Sequence, residues 1–129
     1  MQKFAYSNNG YHNMQAMVKA FKALGDETRI RILKVLLQRA CCVCEVMQAL
    51  DISQSRASRN LGILKDAGFA KSSREGLWIV YSINEQTMNR YAASLTELLR
   101  GSLVDEETIL LDRERLSRAA RHGPRAAGK

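Results

Sequence analysis

Met14, Met17, Val18, Phe21 and Leu24 fall at i, i+3, i+4, i+7 and i+10, the spacing of one α-helical face. Gly25 ends that helix, and Asp26 is suited to cap the next. There Ile30, Leu33 and Leu37 line one face, with Ile32 and Leu36 beside them. Val43, Val46, Met47 and Leu50 repeat the helical spacing. After a short break at Asp51-Ile52, Ser53 caps a helix whose inward positions are Ala57, Leu61 and Leu64, and Gly68 closes it. The period then changes to two. Leu77, Ile79, Tyr81 and Ile83 alternate with Trp78, Val80 and Ser82, which predicts a strand. Ser73-Arg74-Glu75-Gly76 reads as a hairpin tip, with Phe69–Ser72 as the partner strand. Helical spacing returns at Met88, Tyr91, Ala92, Leu95, Leu98 and Leu99, and a second apolar run holds Ile109, Leu110, Leu111 and Leu116.

The predicted fold is therefore mainly α with a two-stranded β-wing. Two helices joined by a tight turn and followed by a β-ribbon make a winged helix-turn-helix. The helix from Ser53 would enter the major groove of DNA. Its core positions leave Gln54, Ser55, Arg56, Ser58, Arg59 and Asn60 outward. Arg can contact guanine edges or phosphates, Gln and Asn can pair with adenine edges, and Ser can hold phosphate. A polar helix face is ordinarily just solvated; the preceding helix, the turn and the ribbon are what point to base reading. At the wing, Lys71 and Arg74 flank the hairpin. They can sit on phosphates or serve as ordinary edge charges.

Composition narrows the picture. A chain of 129 residues is one domain with tails. The helical and strand patterns run over 14–116, between a polar arm at 1–13, with Asn8-Asn9-Gly10 as a turn, and a basic tail at 117–129 holding the only proline, Pro124. Both ends are expected to be poorly ordered. The net charge of +7 favours polyanionic partners such as double-stranded DNA. The apolar stretches are too short for a membrane span, and no basic-then-apolar leader opens the chain, so a cytoplasmic location is expected. No catalytic triad, phosphate loop or paired-carboxylate site is present, so the chain is not read as an enzyme.

All three cysteines stand together in Cys41-Cys42-Val43-Cys44. In a reducing compartment clustered thiols point to metal or redox chemistry rather than a structural disulfide. A single free Cys is commonly a small buried hydrophobe; three within four residues shift the balance to function. Thiols at a helix N-terminus are expected to have depressed pKa values. Three thiolates suit a three-coordinate thiophilic ion better than tetrahedral zinc. On a regular helix Cys41 and Cys44 would be neighbours, whereas Cys42 and Cys44 would point to nearly opposite sides. Gathering Cys42 with Cys44 would then require unwinding the first turn, a route from ligand to DNA release. Two alternatives stand beside metal sensing: a repressor of the same fold whose thiols sense oxidants or persulfide, and a dithiol oxidoreductase. Cys41-x-x-Cys44 has the spacing for the latter but lacks the βαβ context. His12 and His122 lie in the tails and are assigned no role.

Phe21-Lys22-Ala23-Leu24-Gly25-Asp26-Glu27-Thr28-Arg29 resembles the opening signature of the ArsR/SmtB metalloregulatory repressors. Cys42-Val43-Cys44-Glu45 is similar to the Cys-Val-Cys-Asp/Glu element of their arsenic- and cadmium-sensing branches. Gln54-Ser55-Arg56-Ala57-Ser58-Arg59-Asn60-Leu61 resembles the family's recognition helix, and Gly76-Leu77-Trp78-Ile79-Val80-Tyr81 its returning wing strand. The resemblance implies a homodimeric transcriptional repressor that binds operator DNA and releases it on binding metal. It implies a dimer interface on the first helix and the helix around Tyr91–Leu99, hence Met17, Phe21, Tyr91, Leu95, Leu98 and Leu99. It implies that Cys42 and Cys44 bind trivalent arsenic or antimony as inducer, As(III) or Sb(III). The family's usual third thiol position holds Met47 here, which leaves Cys41 as the only substitute. Asn60 stands where the family often has His. Residues 1–40 hold no Cys, unlike the cadmium branch, and residues 88–116 hold no His, unlike the zinc branch.

Overall fold

The computed structural model describes residues 13–122. The elements are α1 (Met14–Leu24), α2 (Glu27–Gln38), β1 (Cys41–Cys42), α3 (Val43–Leu50), α4 (Gln54–Asp66), β2 (Ala70–Glu75), β3 (Trp78–Ile83), α5 (Arg90–Arg100) and α6 (Glu107–Arg118). Together they form a winged helix-turn-helix. The expected arm turn at Asn8-Asn9-Gly10, His12 and Pro124 lie outside the described residues. Among the described residues no helix is long and apolar enough to cross a membrane.

Capping follows the sequence. Asp26 accepts from the Arg29 amide at 3.1 Å, and Ser53 from the Arg56 amide at 3.2 Å. Each satisfies a donor that the first helical turn leaves unpaired. Asn89 at the start of α5 accepts from the Tyr91 and Ala92 amides at 3.0 and 3.3 Å. The turn between α3 and α4 passes through Asp51 at φ 58°, ψ 54°, a left-handed conformation that Asp tolerates better than most side chains. Ile32, Leu33, Val35, Val46, Leu61, Leu64 and Phe69 form the fully buried centre where these helices meet the wing.

The wing differs from the sequence expectation in two ways. It has three strands, ordered β1-β3-β2, because Cys41 and Cys42 pair antiparallel with Tyr81 and Val80. Two residues are too few to show a period, and their pairing is set by a strand distant in sequence. The hairpin is also longer than expected. Glu75 pairs with Trp78, so the tip is Gly76-Leu77. Gly76 has φ 63°, as a two-residue primed turn requires at its first position.

The α1 stripe also differs. Ala16, Ala20 and Ala23 face the rest of the chain, whereas Met14, Met17, Val18 and Phe21 are exposed. The small alanines let α1 lie close to α2, α4 and α5, which leaves the larger apolar face outward. On α5, Leu98 is exposed and Tyr91 and Leu95 are half-buried. Leu99, expected at a dimer interface, is instead 6% exposed and packed in the chain's own core.

The second apolar run is a full helix, α6, packed on α2 and α3. Its anchor is Asp112, 1% exposed, which accepts two hydrogen bonds of 2.8 Å from Arg31. Arg31 also donates to the Leu50 carbonyl and Arg115 to the Ala49 carbonyl, at the C-terminal end of α3 where carbonyls lack helical partners. The buried Lys34 ammonium similarly donates to the Leu99 and Ser102 carbonyls at 2.9 and 2.8 Å, and burial lowers its pKa. Helix α6 itself runs to Arg118, one residue past the expected boundary at residue 117. Gln48 donates to the Ala120 carbonyl at 2.7 Å and accepts from the Ala120 amide at 3.1 Å, so residues 119–122 run on against α3.

Candidate functional site

Helix α4 presents Gln54, Ser55, Arg56, Ser58 and Arg59 to solvent. Arg56 has one end tied, its Nη2 donating to Thr28 Oγ1 at 2.8 Å. Asn60 departs from the sequence reading: it is 4% exposed, not outward. Its Oδ1 accepts from Arg29 Nη1 at 2.8 Å, and its Nδ2 donates to the Arg56 carbonyl at 2.9 Å. It is a strut between α2 and α4. Standing three positions after Ala57 and next to Leu61, it lies on the edge of the buried stripe rather than on the solvent face. Lys71 and Arg74 are exposed on β2.

The cysteines sit differently from the sequence expectation. Cys42 is the residue before α3, in extended backbone at φ −81°, ψ 171°, and Cys44 lies inside the first turn. Because Cys42 is outside the helix, helical rotation does not separate it from Cys44. The two sulfurs are 2.8 Å apart. The expected unwinding is therefore not needed, and the thiol pair is preassembled. Cys41 does not join it: its sulfur donates to the Arg39 carbonyl at 3.4 Å and lies 3.9 Å from Arg39 Nη1. Strand alternation sends Cys41 to the opposite face from Cys42. Among the described residues no three His, Cys, Asp or Glu side chains are grouped to hold a metal ion.

Cys41 and Cys42 also hold their protons more firmly than expected. Burial is the leading cause: it pushes Cys41 up to about 11 and, with the Cys44 contact, Cys42 up to about 12. Removal from water disfavours a thiolate more than the short helix α3 favours it. Glu45 behaves oppositely. Burial opposes its charge, but the Cys42 amide at 2.9 Å and the Arg39 and Arg121 guanidiniums outweigh that and hold its pKa below the usual range. In metal-free protein, iodoacetamide is expected to modify the half-buried Cys44 before Cys41 and Cys42, whose thiolates are scarce at neutral pH. A raised folded-state pKa keeps its stabilising contribution below the unfolded value near 9 and loses it as pH rises toward 11 and 12. The unfolding midpoint should fall over that window, and in a chain with Cys41→Ala and Cys42→Ala the fall should be smaller.

A cavity of about 170 Å³ opens over the thiol pair, lined by Cys42, Cys44, Met47, Gln54, Trp78 and His122 among others. It joins α3, the first residue of α4 and the wing. Sequence reasoning misses Trp78 and the segment after α6 as site residues. Trp78 reads as one member of a strand period, and His122 as part of a tail.

The donor set fits a thiophilic ion: two adjacent soft sulfurs, with Met47 lining the same cavity. Residues 26–72 match the family of bacterial regulatory proteins described as the arsR family. A cadmium resistance transcriptional regulatory protein, CadC homolog, of Staphylococcus aureus is 40% identical over 57% of this chain, which spans 62% of that protein's length. The arsenical resistance operon repressor of Bacillus subtilis is 37% identical over 54% of this chain and 67% of its own. Among solved structures, a homodimeric winged helix-turn-helix DNA-binding domain from Mycobacterium bovis superposes with a TM-score of 0.60 over 94% of this chain and 96% of its own, at 24% identity, a likeness of fold. Matching helix-turn-helix, wing and relatives together place this chain in the ArsR family of bacterial regulatory proteins.

Proposed function

We propose that this protein is a homodimeric, cytoplasmic transcriptional repressor that binds operator DNA and releases it when trivalent arsenic or antimony occupies Cys42 and Cys44. The observation that carries the reading is the thiol pair at 2.8 Å inside a cavity shared with Gln54 of the reader helix and Trp78 of the wing. Gln54, Ser55, Ser58 and Arg59 face the major groove, with the part of Arg56 that Thr28 leaves untied. Lys71 and Arg74 take the phosphates beside it.

A second copy of the chain covers the exposed apolar faces of α1 and α5. Cys42 and Cys44 would hold the ion, which supplies two strong bonds to soft sulfur in exchange for two thiol protons. Neutral thiols suit arsenous acid, whose departing hydroxides take up those protons as water. Asn60 and Leu99 keep structural roles, and Cys41 stays with Arg39.

The test is fluorescence anisotropy on a palindrome from the protein's own promoter, with and without arsenite. Arsenite is expected to weaken operator binding by about 5- to 150-fold, the usual range of coupling between two sites. Cys42→Ser and Cys44→Ser should each bring that ratio close to one. Operator that stays bound in excess arsenite, with Cys42→Ser behaving like the parent, would overturn the reading.

A further inference from the structure

Arg121 and His122 tie the thiol pair to the wing. The His122 amide donates to Cys44 Sγ at 3.5 Å, and the His122 carbonyl accepts from Trp78 Nε1 at 2.6 Å. Arg121 spans the same gap with its side chain. Its Nε donates to Glu45 Oε1 at 3.2 Å, its Nη1 to Glu75 Oε1 at 3.2 Å, and its guanidinium lies 5.9 Å from the Trp78 ring centre. Glu45 Oε1 also accepts from the Cys42 amide at 2.9 Å. One carboxylate oxygen therefore serves both the backbone of a thiol residue and the guanidinium that reaches the wing.

We propose that Arg121 is a positioning residue that transmits occupancy of the Cys42–Cys44 pair to the wing through Glu45, Glu75 and Trp78. This rests on the reading of that pair as the effector site. A sulfur of Cys44 committed to an ion is a poorer acceptor for the His122 amide, and the ion takes space beneath the strap. A shift of the Cys42 backbone changes what Glu45 Oε1 can hold. Either change reaches Arg121, and Arg121 is bound at its other end to β2 and β3. At the wing end the Arg121–Glu75 pair is partly exposed, 29% and 55%, and exposed pairs are individually weak, so that end of the strap can be displaced by a ligand, which a transmitting element requires.

Three readouts test this on the full-length chain: arsenite bound per chain by equilibrium dialysis, emission of Trp78 (the only tryptophan), and the ratio of operator dissociation constants with and without arsenite. The parent should bind arsenite, change its Trp78 emission and lose operator. Arg121→Ala should still bind arsenite, with a smaller emission change and a ratio reduced by about fivefold or more. Glu75→Gln, at an exposed position that leaves Glu45 intact, should lower the ratio in the same direction. Arg121→Ala with the parent's ratio would overturn the inference alone. Loss of arsenite binding in Arg121→Ala would also overturn it, since Arg121 would then build the site rather than transmit from it. A parent that keeps its operator with arsenite bound would overturn the effector reading and this inference together.

Discussion

A chain carrying Phe21→Glu and Leu98→Glu is expected to sediment as a monomer and to bind operator about 10²- to 10⁴-fold more weakly than the parent, the range by which linking two binding modules raises avidity. Phe21 is 52% exposed and Leu98 66% exposed. They lie on α1 and α5, which pack together in the chain, and Met14, Met17 and Val18 extend the apolar surface along α1. An exposed apolar surface of this kind marks an interaction site. Placing carboxylates there makes association bury charge without a partner, while each single chain keeps its own core because neither side chain contributes to it. Far-UV circular dichroism should therefore match the parent. A dimeric mass at micromolar concentration for the double variant would rule out this face as the interface.

The same α1 face separates what is legible in the sequence from what is not. Periodicity identifies the helix and its large apolar stripe, but not which neighbour covers that stripe. Inside one chain the contacts go to Ala16, Ala20 and Ala23, which carry little weight in a hydrophobic pattern. The reader helix is legible because Ser53, Ala57, Leu61 and Leu64 are local signals. Asn60 is not, because its partner Arg29 comes from another helix. The cysteines read as helical because β1 is two residues long and exists only through its pairing with β3. That pairing places Cys42 outside α3 and brings its sulfur to Cys44. Composition makes the tail read as loose. Its placement depends on Glu45, Gln48, Glu75 and Trp78 offering partners to particular atoms of residues 120–122, and no local rule contains that information.

Asp112→Ala is expected to destabilise the fold by about 3 kcal/mol, the lower end of the range for removing one partner of a buried ion pair. The lower end applies because the Arg31 and Arg115 side chains keep 20% and 30% exposure while Asp112 has 2%, so the stranded guanidiniums retain some water. At fixed protein concentration the thermal midpoint should drop by roughly 10 °C or more. The loss has a structural direction. Asp112 orients Arg31 and Arg115 toward the Leu50 and Ala49 carbonyls, so α6 loosens from the end of α3, and residues 119–122 follow α6. Arg31→Met with Asp112→Leu should recover much of the stability, because it replaces the carboxylate and its closer partner with apolar groups and leaves only the 30% exposed Arg115 unpaired. Equal destabilisation by the single and the double variant would show that packing volume at this position, and not the ion pair, holds α6 in place.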